Sequence, residues 1–205
     1  MSHDAALVDA LSRRSVTTFS GDVFRATIPG YDPLTASTRG GRWSTHGGPS
    51  VLYTSLEPDG ALAEIVFHWS QLTPVPKRPV ALHTLTVETA RTLRLIRDDL
   101  ASLGVAEAQY ETINYERTQQ IGAAIAFLGC DGLIAPNARW TCENLMIYVE
   151  NVSLDWSSAS PTAAASTGLN GRSKTAGFHQ HRRIEHLYGN VAAAARKGGR
   201  RVERL

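Results

Sequence analysis

Arg42, Tyr53 and Glu64 stand eleven residues apart, and the segment RGGRWSTHGGPSVLYTS, which runs from Arg39 and holds the first two, is rich in glycine. Glycines let a backbone approach a ligand closely, and planar guanidiniums grip phosphate oxygens two at a time. A phosphate-bearing ligand would suit such a loop. The same composition also makes a solvated hairpin with surface arginines, and the segment matches neither a P-loop nor a GxGxxG fingerprint. Glu64 brings a different chemistry, since a carboxylate facing a ligand stabilises positive charge as it develops. At about 100° per residue along a helix, Ala61, Leu62, Ile65, Val66 and Trp69 share one face, while Glu64 and His68 lie together off it. That pair fits an exposed i,i+4 pair or, because Ala61, Ala63 and Phe67 flank it, a carboxylate in a cleft. The third stretch, GCDGLIAPNARWTCENL, is a strand running into a Pro136–Asn137 turn and on to Arg139 and Asn144. Asn137 suits a turn as well as it suits a ligand. Arg139 reads as a surface residue or a partner of Glu143. Cys142 reads as a small core residue rather than a nucleophile, its nearest histidines in sequence being remote.

These residues need elements to hold them. A helix is predicted over Asp4 to Arg13 and a short strand over Val23 to Ala26, followed by a glycine- and proline-rich loop. Val51 to Thr54 reads as a buried strand, and Thr54-Ser55-Leu56-Glu57 has the form of a capping box, with Pro58 in the first turn of a helix that runs to Trp69. Val80 to Val87 and Leu93 to Ile96 read as two strands, and Asn114 to Leu128 as a helix closed by Gly129. Gly132 to Ala135 and Asn144 to Val152 complete the strands. Interleaved strands and helices give an α/β (α+β) class, with small mixed sheets and surrounding helices.

The chain of 205 residues is 42% hydrophobic, enough for one well-buried core. Its longest nearly uncharged apolar stretch, Ile121 to Cys130, is far shorter than the roughly 20 residues of a membrane-spanning helix, and no signal peptide is evident, which predicts a soluble cytoplasmic protein. Cys130 and Cys142 lack metal-ligand or redox spacing. The net charge of +2 conceals an asymmetry: residues 1–156 carry 12 Lys+Arg against 17 Asp+Glu, whereas residues 157–205 carry 9 against 2. Eleven of the body's 12 cations are arginine, a bias that suits anion binding and that a high-GC genome also produces. Residues 157–177 have almost no large apolar side chain and read as a flexible linker. Residues 178–205 read as a basic, weakly ordered tail with one short helix around Arg182 to Ala195, a solubilising end before a nucleic-acid contact.

VFR ending at Arg25, GGRW with Arg42, LYTS with Tyr53, ALAE ending at Glu64, and CDGLIAPNAR leading into ENLMIY occur in an order and spacing that resemble the RES domain family, named for an Arg, a Glu and a Ser. The resemblance spans roughly Ser15 to Trp156, which makes residues 1–156 the expected catalytic domain. It implies a fold related to ADP-ribosyltransferase toxins. It further implies a cytoplasmic toxin paired with a helix-turn-helix (Xre-type) antitoxin and forming a homodimer within that complex.

The resemblance implies NAD as substrate, split at the nicotinamide–ribose bond, with no metal. Inorganic phosphate, water or a protein side chain would accept the ADP-ribosyl group, giving an NAD phosphorylase, a glycohydrolase or a mono-ADP-ribosyltransferase. By the same resemblance Arg25 and Arg42 bind the phosphate and ribose region, Tyr53 positions or stacks on the substrate, and Glu64 is the catalytic carboxylate, with Arg42 and Asn137 beside it. Asn137 stands where the family has its Ser. An amide still hydrogen-bonds a substrate but cannot act as a hydroxyl, so a catalytically silent binding module is the contrasting expectation.

Overall fold

The computed structural model describes residues 3–152 together with the backbone of Pro161–Thr162. Helix α1 (Ala5–Ser12) begins where the Asp4 carboxylate accepts the N–H groups of Ala6 and Leu7, and it buries Leu7 and Leu11. Strand β1 (Val16–Thr27) follows, then a long loop, strand β2 (Val51–Ser55) and helix α2 (Pro58–Ser70). Strand β3 (Ala81–Arg94), two short helices α3 (Arg97–Ser102) and α4 (Glu107–Tyr110), helix α5 (Glu116–Phe127), and strands β4 (Gly132–Pro136) and β5 (Glu143–Tyr148) complete the body. Pro161–Thr162 adds a two-residue strand, β6, beside Thr84 and Leu85 of β3. It falls within the stretch predicted as linker; the rest of that stretch, and the basic tail with its predicted helix, lie outside the described residues.

Two expectations change, and two short helices are added. The two strands predicted over Val80–Val87 and Leu93–Ile96 are one 14-residue strand, because β1 pairs with it from Val16↔Leu93 to Thr27↔Ala81. The capping box does not form: Thr54 lies in β2 and donates its hydroxyl to the Leu145 carbonyl, so Glu57 is the N-cap without a side-chain bond and Pro58 takes the first helical position. The short helices α3 and α4 were not foreseen, being too brief for a periodic apolar signal.

The strands form one mixed sheet in the order β1-β2-β5-β4-β3-β6, and the extra β1–β3 ladder closes the first five into a ring. Its central strands alternate strictly. Val51, Leu133, Met146 and Tyr148 join a core with Leu7, Leu11, Ile121 and Ile125, whereas Leu52, Ile134, Leu145 and Ile147 join a second core with Val23, Leu85 and Val87. Both faces are covered, which explains why GLIAP and NLMIY read as continuous apolar runs. Each fully buried Leu or Ile here is worth roughly 1.5–3 kcal/mol of transfer free energy. Asp131, just before β4, accepts the N–H groups of Ala90 and Arg91 at 2.7 and 2.8 Å, fixing β3 where it takes β4 as a parallel neighbour.

Helix α5 sits directly on the loop that carries Arg42. A Cβ placed on Gly122 would lie 1.9 Å from the Trp43 carbonyl oxygen, so only glycine permits this contact. Gly122→Ala is expected to lower unfolding free energy by about 2–3 kcal/mol or more through forced displacement of that loop. Urea denaturation checks it, and a loss below about 0.5 kcal/mol would contradict the packing.

Candidate active site

A cleft of about 320 Å³ opens between β1, β2, α2 and the loop before β2. It is lined, among others, by Arg25, Arg42, Tyr53 and Glu64. Four residues singled out from a linear pattern therefore meet at one place, each on a different element: β1, the loop, β2 and α2.

The loop is clamped rather than solvated. Ser37 bridges Val51, the Gly41 N–H donates to the Ser44 carbonyl, and the Ser44 hydroxyl donates to the Pro49 carbonyl at 2.6 Å. From α5 the Gln119 amide donates to the Gly41 carbonyl at 2.9 Å. Trp43 is buried, and its N–H donates to the Tyr53 hydroxyl oxygen at 3.2 Å. Arg42 is thus held in place. Its guanidinium carbon lies 4.6 Å from the ring centroids of both Tyr110 and Tyr115, and its Nη2 donates to the Thr112 carbonyl at 3.3 Å. Two aromatic faces satisfy the cation without consuming its N–H groups, and Nη1 is buried with no hydrogen-bond partner among the described residues. Arg25 shows the same state: Nη2 donates to the Thr35 carbonyl at 2.8 Å, while buried Nη1 has no such partner. Burial pushes the Arg25 guanidinium below its usual value, with Asp32 opposing. Arg39 is exposed and does not line the cleft.

Glu64 faces the cleft and accepts the Asn144 side-chain N–H at 3.3 Å. His68, one turn on, sits at the exposed rim, and loss of water contact pushes its imidazole below the ordinary value. Glu64 raises it; Arg139 and Arg42 push it down further. The carboxylate thus has a neighbouring imidazole and two guanidiniums, the cleft pattern rather than the exposed i,i+4 pair.

Arg139 belongs to this cluster. Its guanidinium lies over the Phe67 ring at 3.3 Å, donates to the Glu111 and Thr112 carbonyls, and feels Glu64 and the Tyr115 hydroxyl. Glu143, its alternative partner from sequence, pairs with Arg94 at 2.7 Å instead. Tyr115, the N-cap of α5, carries no sequence signal, whereas Arg139 and Asn144 follow the Pro136–Asn137 turn that the sequence does mark, without a pattern that assigns them to a ligand.

Asn137 is placed differently from the expectation that it contacts the substrate. It is 1% exposed and does not line the cleft. Its amide oxygen accepts the N–H groups of Arg139 and Trp140 at 2.6 and 3.0 Å, the turn-stabilising use of asparagine. Cys142 packs against Ser55, Sγ to Oγ 3.3 Å, and desolvation pushes its thiol up, away from nucleophilic character.

Burial holds the Tyr53 and Tyr110 hydroxyls protonated, pushing both up to about 12. Tyr110 donates to the Pro136 carbonyl at 2.5 Å. A proton bound more tightly in the folded than in the unfolded state stabilises the fold below the unfolded value and is lost as pH climbs through the folded one. Stability is therefore expected to fall between pH 10.0 and about 12. Tyr110→Phe should remove part of that decline in pH-dependent urea melts; an unchanged slope would refute the assignment.

Residues 21–165 match the family described as the RES domain. Among solved structures, a chain in the crystal structure of the M. tuberculosis MbcT-MbcA toxin-antitoxin complex shares the fold, with a TM-score of 0.72 and 17% sequence identity over 91% of this chain and 98% of that one. No curated protein matches by sequence.

Proposed function

The chain belongs to the RES domain family, and from that premise we propose that it is the toxin of a toxin–antitoxin pair, cleaving NAD at the nicotinamide–ribose bond. The observation that carries this reading is the convergence of Arg25, Arg42, Tyr53 and Glu64 on one cleft. A pyrophosphate supplies two anionic groups to the two arginines that line this cleft, and planar guanidiniums match phosphate oxygens better than ammonium groups do. Tyr53, its hydroxyl oxygen turned toward the Trp43 N–H, keeps its own proton free to donate to a ribose or phosphate oxygen. Nicotinamide leaves with the bonding electrons of the C–N bond, and the ribose carbon gains positive charge that the Glu64 carboxylate stabilises. Inorganic phosphate, water or a protein nucleophile then takes the ADP-ribosyl group.

Because Asn137 lies behind the cleft wall, its replacement of the family's Ser removes no group that lines the cleft, which favours an active enzyme over a silent module. An antitoxin of helix-turn-helix type covering the cleft, and a homodimer within that complex, complete the reading. In the test, purified protein is incubated with NAD, with and without inorganic phosphate, and nicotinamide and ADP-ribosyl products are quantified. Turnover that rises with phosphate supports phosphorolysis, and turnover independent of it supports hydrolysis. Label transferred from NAD to protein supports ADP-ribosylation. Absence of nicotinamide release in every arm overturns the proposal.

A further inference from the structure

Two asparagines of different elements are joined to Glu64 in a hydrogen-bond chain whose direction is set at one end. The Asn137 amide oxygen is committed to two backbone N–H groups, those of Arg139 and Trp140, which can only donate. Its amide nitrogen must therefore face the other way, and it donates to the Asn144 side-chain oxygen at 2.8 Å and to the Gly60 carbonyl at 3.4 Å. With its oxygen so occupied, Asn144 presents its own NH2 to Glu64 Oε1 at 3.3 Å. Each amide along the path is turned the only way the previous one allows.

From this geometry we infer that Asn137 and Asn144 are positioning residues for the NAD-cleaving reaction proposed above, holding Glu64 Oε1 in the cleft as a hydrogen-bond acceptor. The inference rests on that reading of the cleft. The hydrogen-bond chain ties the carboxylate to the turn between β4 and β5, which fixes its rotamer against α2. The approach needs Gly60, one turn before Glu64, to have no side chain: a Cβ there would lie 2.4 Å from Cys142 Sγ and 3.1 Å from the Asn137 amide nitrogen. A serine at position 137 offers one oxygen and one proton on a shorter stem. It would have to serve both turn N–H groups and Asn144 from that single atom, where the amide uses two.

Asn137→Asp isolates the claim. The new carboxylate has the same shape and still accepts the two turn N–H groups, but it has no proton for Asn144. The Asn144 amide must then turn its NH2 toward that carboxylate and its oxygen toward Glu64. The expected result is a kcat for nicotinamide release roughly 10–30-fold lower, with KM for NAD within about twofold of wild type. In a Glu64→Gln background the same substitution should cost nothing further, because the introduced glutamine can donate to the turned amide. A kcat equal to wild type, a raised KM with unchanged kcat, or a fully multiplicative loss in the double variant would each overturn the inference. A second readout needs no turnover: the Asn144 side-chain NH2 resonances in ¹⁵N NMR should shift on raising pH through the carboxylate range in wild type. They should lose that response in Glu64→Gln. Resonances that behave alike in the two proteins overturn the inference even if NAD is not cleaved; wild-type failure to cleave NAD, with the NMR response present, overturns only the substrate.

Discussion

Glu64→Gln is expected to slow nicotinamide release by about a thousandfold while leaving KM for NAD within roughly threefold of wild type. Glutamine keeps the size of the side chain and can still meet Asn144, so the cleft and its arginines stay as they are. In the reaction proposed above, what disappears is the negative charge beside the ribose carbon. Positive charge grows on that carbon only as the C–N bond breaks, so the lost attraction is a transition-state one and falls on kcat. Removing a preorganised electrostatic partner of this kind typically costs about 10²–10³ in rate. The upper end is expected here because Glu64 is the acidic side chain lining this cleft. Single-turnover measurement of nicotinamide release decides it, and a loss smaller than about tenfold would remove Glu64 from the chemistry.

Arg42→Ala is expected to raise KM for NAD by about 100-fold, and Arg42→Lys to recover no more than about a tenth of the difference. A charge-assisted hydrogen bond is worth about 1.5–3 kcal/mol, roughly 10–100-fold in affinity. Lysine keeps the charge but not the plane. The slot between Tyr110 and Tyr115, 4.6 Å from each centroid, is shaped for a flat cation that stacks on both sides and still directs N–H groups outward. An ammonium there turns its donors on the rings or on the Thr112 carbonyl. Lysine restoring wild-type KM would show that charge alone, not the stacked geometry, holds the ligand.

The sequence revealed the fold class and the four cleft residues for different reasons. Alternation and apolar runs located β2, β4 and β5 because burial on both faces leaves a strong compositional trace in short strands. The loop with Arg42 and the helix with Glu64 were recognisable by glycine, arginine and a lone carboxylate beside an apolar face. Three things left no such trace. The continuity of β3 depends on the β1 ladder, a partner more than fifty residues distant, and no local signal reports it. The capping box at Thr54 failed because a cross-strand carbonyl competed for the same hydroxyl. The family pattern makes Asn137 a ligand contact, yet its surroundings, two N–H groups on one side and Asn144 on the other, exist only once β4 and β5 are paired. Arg139 and Tyr115 enter the site by stacking, which depends on side-chain direction and not on spacing.

The β1–β3 ladder joins residues 16–27 to residues 81–93 and encloses the Arg42 loop, β2 and α2 between its two strands in the chain. Three of the four cleft residues therefore lie on a closed excursion whose ends meet only through that long-range pairing. Such pairing must meet a large loop-closure entropy before any contact rewards it, so the chain is expected to fold on the millisecond-to-second scale. Until the ladder zips, Arg25 on one of its strands has no fixed relation to Arg42 or Glu64. A nascent or partly unfolded chain therefore carries Arg42, Tyr53 and Glu64 without the assembled cleft.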